Sequence, residues 1–168
     1  MSDKPVVSVS MGKLAVAWDG ETLKTILGSC VGVGILWSDK AVFGLAHCVL
    51  PESHEEMAID GQEARFVNQA IPRLLEQMGA RRKDYKDLQA VIIGGASLIA
   101  SPLATKNKNK TNVGAQNVET AQDLLARLEI PIVIASVGEN FGRQLYIDGK
   151  TGVCEVHKIS RLKSRRGA

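Results

Sequence analysis

The sequence predicts an α+β domain whose sheet layers are covered on one side by a pair of helices. Three observations carry this reading: apolar runs of strand length gather at both ends of the chain, two stretches in the middle repeat their apolar residues at helical spacing, and no regular strand–helix alternation of the doubly wound kind runs through the whole. At 168 residues the chain suits one domain, with enough core to need no staples.

The chain opens with apolar runs at residues 6–10 and 14–18, followed by Asp19-Gly20, a strong hairpin-turn pair. Leu23, Thr25 and Leu27 continue on alternating positions up to Gly28, where the strand must bend before Cys30. Val31, Val33, Ile35 and Leu36, then Val42, Phe43 and Leu45, read as two strands around the polar break Ser38-Asp39-Lys40. A two-residue loop at Ser38-Asp39 sets Trp37 against Lys40, Ile35 against Val42, and Cys30 against His47. A slip of one residue would instead oppose Cys30 to Cys48 and send His47 to the other face. The sequence favours the first register.

Residues 62–78 read as an amphipathic helix with Gly79 as its C-cap, kinked or broken near Asn68 by Pro72. Arg81-Arg82-Lys83 follow as a charged linker, then a strand at 88–93 ending in Gly94-Gly95-Ala96. A second helix, capped by Thr111 or Asn112, runs over 113–128 with Val118, Ala121, Leu124, Leu125 and Leu128 on one face. A buried strand at 130–135 and a terminal hairpin, 142–147 with 153–156, bring the count to about eight strands and two helices.

Composition excludes several functions. Cys30, Cys48 and Cys154 are an odd number without zinc-type or CxxC spacing, so neither a disulfide framework nor a metal site is expected and reduced cytosol is the natural compartment. No uninterrupted apolar run approaches the roughly 18–20 residues that span a bilayer, so no membrane insertion is expected. The formal charge of +3 includes five cations in the last eleven residues; less these five it is −2. Residues 1–157 therefore read as the domain and 158–168 as a basic, flexible tail. Aromatics are few and not interleaved with the basic residues, which argues against nucleic acid. The Gly94-Gly95 pair and the lysines at 106, 108 and 110 lack a phosphate-loop pattern, so close backbone packing behind the hairpin is the simpler reading. His54, Glu55 and Glu56 lie in a polar loop without second-ligand spacing; it reads as a solvated loop able to gate Cys30.

Cys30 and His47 are the residues that carry chemistry. A thiol beside an imidazole is the minimum for nucleophilic attack on a carbonyl carbon, and amides around Gly28, Ser29 and Cys30 could hold the developing oxyanion. Thr25 lies close enough to join them, although a β-branched residue is ordinary in a strand.

Leu27-Gly28-Ser29-Cys30-Val31, His47 seventeen residues on with Leu50-Pro51 behind it, Gly94-Gly95-Ala96, Val113-Gly114 with Asn117-Val118, and Gly142-Arg143 before Thr151-Gly152 together resemble the chemoreceptor glutamine deamidase family, CheD, over about residues 8–157. The resemblance implies a three-layer α/β/β sandwich similar to the cytotoxic necrotizing factor deamidases. It also implies hydrolysis of selected glutamines on chemoreceptor cytoplasmic domains to glutamate, and a partner, the phosphatase CheC. In matching roles Cys30 is the nucleophile, His47 the base and Thr25 the third member, with no cofactor. Receptor glutamyl methylesterase activity of the same Cys–His type, or a non-catalytic adaptor binding receptors or CheC, are the alternatives. The chain departs from the family pattern at Ser136-Val137-Gly138-Glu139-Asn140-Phe141, where an Asp followed by a Gly-Gly pair is expected, and at Val91-Ile92-Ile93, which lacks an aromatic.

Overall fold

The computed structural model describes residues 4–55, 60–97 and 112–159. Nine strands and two α-helices occur among them: β1 (Val6–Ser8), β2 (Leu14–Ala17), β3 (Thr22–Leu27), β4 (Val31–Trp37), β5 (Val42–Cys48), α1 (Val67–Gln77), β6 (Gln89–Gly94), α2 (Val113–Arg127), β7 (Ile132–Val137), β8 (Gly142–Ile147) and β9 (Cys154–Ile159). The strands form a five-stranded sheet of order β2-β5-β4-β6-β7 and a four-stranded sheet of order β1-β3-β8-β9. β1 with β3 and β6 with β7 run parallel; the other pairs are antiparallel. The polar loop at 52–61 and the lysine-bearing loop at 101–111 lie wholly or partly outside the described residues.

Three layers follow from the alternation of side chains along the central strands. Val31, Val33, Ile35, Ala46 and Cys48 point to one side, where they pack with Ile71, Leu74, Leu75 and Met78 of the α1 region and Val118, Ala121 and Leu125 of α2. Cys30, Leu36, Phe43 and Leu45 point to the other, against Leu23, Leu27, Leu145 and Ile147 of the four-stranded sheet. The order is helices, five-stranded sheet, four-stranded sheet. This is the α/β/β sandwich of the sequence reading.

Several local expectations are corrected. The β4–β5 connection is not a two-residue turn. Such turns need positive φ at their central residues, which Ser38 and Asp39 do not supply; the chain makes a 3-10 turn over Ser38–Lys40 and recovers with Ala41 at φ 51°. Two further residues enter the loop, so Trp37 pairs with Val42, and His47 pairs with Gly32 rather than with Cys30. A shift of two preserves the faces. Cys30 and His47 thus share the inter-sheet face as diagonal neighbours, and Cys48, paired with Val31, faces the helices.

The Asp19-Gly20 turn reverses the chain but joins strands of different sheets: β2 pairs with β5, and β3 with β1 and β8. A turn signal reports reversal, not sheet membership. α1 continues unbroken through Pro72, its sixth residue, without the bond that an amide there would have made to the Asn68 carbonyl. It ends as expected at Gly79, φ 72°, with the Gly79 amide on the Glu76 carbonyl and the Ala80 amide on that of Leu75. The charged linker is a 3-10 helix, Arg82–Asp87. β7 is a half-exposed edge strand rather than a buried one, and β9 takes in Lys158 and Ile159.

Candidate active site

The site lies where β3 of one sheet faces the start of β4 and end of β5 of the other, beside the segment from Val9 to Lys13 that crosses between the sheets. Alternation along β3 turns Leu23, Thr25 and Leu27 inward. Thr25 thereby reaches His47: its Oγ1 lies 2.7 Å from Nδ1 of the imidazole. The same hydroxyl donates to the carbonyl of Val9 at 2.7 Å, and Nδ1 is 3.2 Å from that carbonyl. A carbonyl only accepts, and a threonine has one proton to give. With that proton on Val9, Nδ1 must carry its own hydrogen, so Nε2 holds the lone pair. Nε2 is buried and has no hydrogen-bond partner among the described residues.

The backbone of His47 is equally constrained. Its amide donates to the Lys13 carbonyl and its carbonyl accepts from Gly12, each at 2.9 Å. A cavity of about 300 Å³ opens here, lined by Ser8, Ser10, Met11, Lys24 and Ile26 as well as Val9, Thr25 and His47.

Cys30 ends the loop that enters β4. Successive carbonyls of that loop are all bonded: Gly28 accepts from the Ala96 amide at 2.9 Å, Cys30 from the Gly95 amide at 2.8 Å, and Ser29 from Nδ2 of Asn117 at 3.2 Å. The Gly94-Gly95 pair is what lets β6 approach so closely. Gly94 sits at φ 108°, and a Cβ there would collide with the Cys30 carbonyl; one on Gly95, φ 67°, would strike Val118. The expectation of close backbone packing behind the hairpin describes this contact.

Burial governs the electrostatics. Cys30 is 8% exposed, His47 4% and Thr25 3%. Desolvation pushes the Cys30 thiol above its usual range, partly offset by its own amide, and pushes the His47 imidazole below its usual 6.5, partly offset by the Val9 carbonyl. Both shifts favour the neutral forms, a thiol and an uncharged imidazole.

The altered segment before β8 is held by Arg143, a buried guanidinium. Its Nε donates to Ser136 Oγ and Nη1 to the Gly138 carbonyl, both at 2.9 Å, and it lies 4.3 Å from the Phe141 ring. Burial lowers its pKa, with Glu139 acting in the opposite sense. Arg143 pairs with Leu27 across the sheet, so it ties this segment to the strand that leads into the site.

Of the residues that sequence reasoning singled out, the structure joins Thr25 to His47 by a hydrogen bond and sets Cys30 on the hairpin face that His47 shares, with Gly28 and Ser29 in the loop that leads to Cys30. That reasoning missed the Val9 carbonyl, because a main-chain acceptor leaves no residue-type signal. It also gave Asn117 no role, although that residue stood in a recognised motif.

A thiol, an imidazole held through its far nitrogen, and a hydroxyl at the edge of an α/β/β sandwich are the residue types that Cys–His acyl transfer uses. The profile of the CheD chemotactic sensory transduction family matches residues 49–158. A protein of Bdellovibrio bacteriovorus named as a probable chemoreceptor glutamine deamidase CheD is 39% identical, over 91% of this chain and 94% of its own length. Proteins of the same printed name from Geobacillus kaustophilus and Methanococcus maripaludis strain C6 are 33% and 32% identical, over 96% and 95% of this chain and 97% and 99% of theirs. The chain belongs to the CheD family. The profile match starts after His47, but a relative that covers 91% of the chain leaves too little outside to miss the stretch from Thr25 to His47.

Proposed function

We propose that this protein is a protein-glutamine deamidase that hydrolyses selected glutamine side chains in chemoreceptor cytoplasmic domains to glutamate and ammonia, with Cys30 as nucleophile. The observation that carries the reading is the 2.7 Å bond between Thr25 and Nδ1 of His47, which leaves Nε2 as a buried, unbonded base on the face shared with Cys30. Relatives named as chemoreceptor glutamine deamidases, matched over most of the chain, support the substrate class.

Nε2 takes the thiol proton as sulfur attacks the carboxamide carbon, so charge separates only when substrate is present. The tetrahedral oxyanion is held by amides of the Gly28–Cys30 loop. The imidazolium then gives its proton to the departing nitrogen; the C–N bond breaks and ammonia leaves a thioester. Water, deprotonated by the same Nε2, attacks the thioester, and the C–S bond breaks to give glutamate and the thiol. Thr25 and the Val9 carbonyl keep the ring oriented and stabilise its charged form.

This reading puts the protein in the cytoplasm beside its substrate, in keeping with the absence of any helix long and apolar enough to cross a membrane among the described residues. A CheC-type phosphatase as second partner belongs to the same reading; co-purification with a CheC homologue is its test. For the reaction, a receptor cytoplasmic fragment is incubated with the protein and examined by mass spectrometry. Each modified glutamine gains about one dalton as amide becomes acid, ammonia is released, and both products vanish with Cys30→Ala and with His47→Ala. Undiminished release from both variants, or methanol in place of ammonia, overturns the proposal.

A further inference from the structure

Asn117 lies on α2, sixty-odd Cα positions of chain beyond the hairpin, and is fully buried. Its Nδ2 donates to the Ser29 carbonyl at 3.2 Å and to the Val49 carbonyl at 3.0 Å. Both acceptors are carbonyls, so the amide orientation is unambiguous. Ser29 precedes Cys30 at the entry of β4, and Val49 follows Cys48 at the exit of β5. One side chain therefore clasps the two ends of the hairpin that carries Cys30 and His47.

The clasp falls on the peptide bond that joins Ser29 to Cys30. That bond is trans, so its N–H points opposite to its C=O. Drawing the Ser29 carbonyl toward α2 turns the Cys30 amide away from α2. That amide interacts with the thiol of its own residue and favours its ionised form. An amide beside the sulfur can donate to the oxyanion that forms when this sulfur attacks a carbonyl. The neighbouring Gly28 and Cys30 carbonyls, held by Ala96 and Gly95, keep the rest of the loop in the same sense.

Asn117 is also expensive as a purely structural residue. Its Oδ1 is buried without a hydrogen-bond partner among the described residues, a situation that generally costs stability. A leucine of similar size would avoid the orphaned acceptor, but would leave the Ser29 and Val49 carbonyls without this donor.

We infer that Asn117 is a positioning residue of the deamidation site: by holding the Ser29–Cys30 peptide it orients the Cys30 amide toward the developing oxyanion and sets the nucleophile beside His47. The inference rests on the function proposed above and deepens it.

The test compares Asn117→Asp, which keeps the shape but loses both donors, and Asn117→Leu, which also removes the orphaned acceptor. Folding is followed by circular dichroism and thermal unfolding, and ammonia release from the receptor fragment is separated into kcat and KM. Alkylation of Cys30 by iodoacetamide is followed against pH by peptide mapping. The expected result is a folded Leu variant with kcat down about 10- to 100-fold, the range of a weakened oxyanion contact, and KM little changed. Cys30 should be alkylated more slowly at neutral pH, as the freed amide no longer favours the thiolate. Wild-type kcat in either folded variant, a loss confined to KM, or unfolding of both variants overturns the inference. If wild type itself releases no ammonia, the deamidase reading fails, and the alkylation profile alone decides: an unchanged profile in both variants overturns the positioning role.

Discussion

Cys30 and Cys48 stand near the same end of one β-hairpin and differ in everything that matters for chemistry. Cys30 is on the inter-sheet face with His47, retains slight exposure, and follows a loop whose carbonyls are all tied back. Cys48 is on the helix face, fully buried among Val31, Ala46 and α1 side chains, and desolvation drives its thiol pKa far up, with the nearby Cys30 adding to the shift. Residue type is the same, and the pleat separates them. What distinguishes the proposed nucleophile from a core thiol here is the imidazole on the shared face and the solvent edge of the sandwich, neither of which belongs to the cysteine.

The comparison breaks first at the cysteines. Cys30→Ala should lower deamidation by about 10³-fold or more, as removal of a nucleophile does. Cys48→Ala should leave kcat/KM within about twofold while costing roughly 1 kcal/mol through the small cavity it opens; ammonia kinetics and denaturant unfolding on both variants measure this. Equal losses of activity would mean that the face does not decide.

A smaller effect is expected from Thr25→Val, which keeps the strand and the packing but removes the hydroxyl from Nδ1. The ring retains the Val9 carbonyl, so a loss of about 10- to 100-fold is expected, less than the full general-base contribution. It should appear in kcat, with the unfolding midpoint little changed. Unaltered kcat would remove Thr25 from the site.

The smallest effect is on stability against pH. Burial lowers the His47 pKa below 6.5 in the folded state, so the unfolded chain binds this proton more readily. Stability from this group is therefore complete above the ordinary imidazole value and is lost as pH falls below it, with a slope of at most about 1.4 kcal/mol per pH unit. Denaturant unfolding between neutral and mildly acidic pH should be flatter for His47→Asn. A wild-type curve without that slope would contradict the buried neutral imidazole.

Much of this was legible in the chain. Alternation in residues 31–36 and 42–48 located the central hairpin, the helical spacing of Ile71, Leu74, Leu75 and Met78 located α1, and Asn112 capped α2, its side chain accepting from the Ala115 amide. These are local patterns, and local physics sets them. The register of the hairpin was read two residues short, because the loop closes through a left-handed Ala41 that no residue preference announces. The parity of the error spared the site, leaving Cys30 and His47 on one face.

By itself the sequence determined the chemical inventory, the alternation that separates Cys30 from Cys48, and the glycines at 94 and 95 that allow close approach. Only the tertiary structure decided that β2 and β3 part into different sheets, and that Thr25 and the Val9 carbonyl meet His47 from the opposite layer. It also decided that Asn117 reaches from α2 to the Ser29–Cys30 peptide. Each of these is a contact between segments distant along the chain, chosen by which apolar faces can be buried together. Side-chain type and spacing carry no record of that choice.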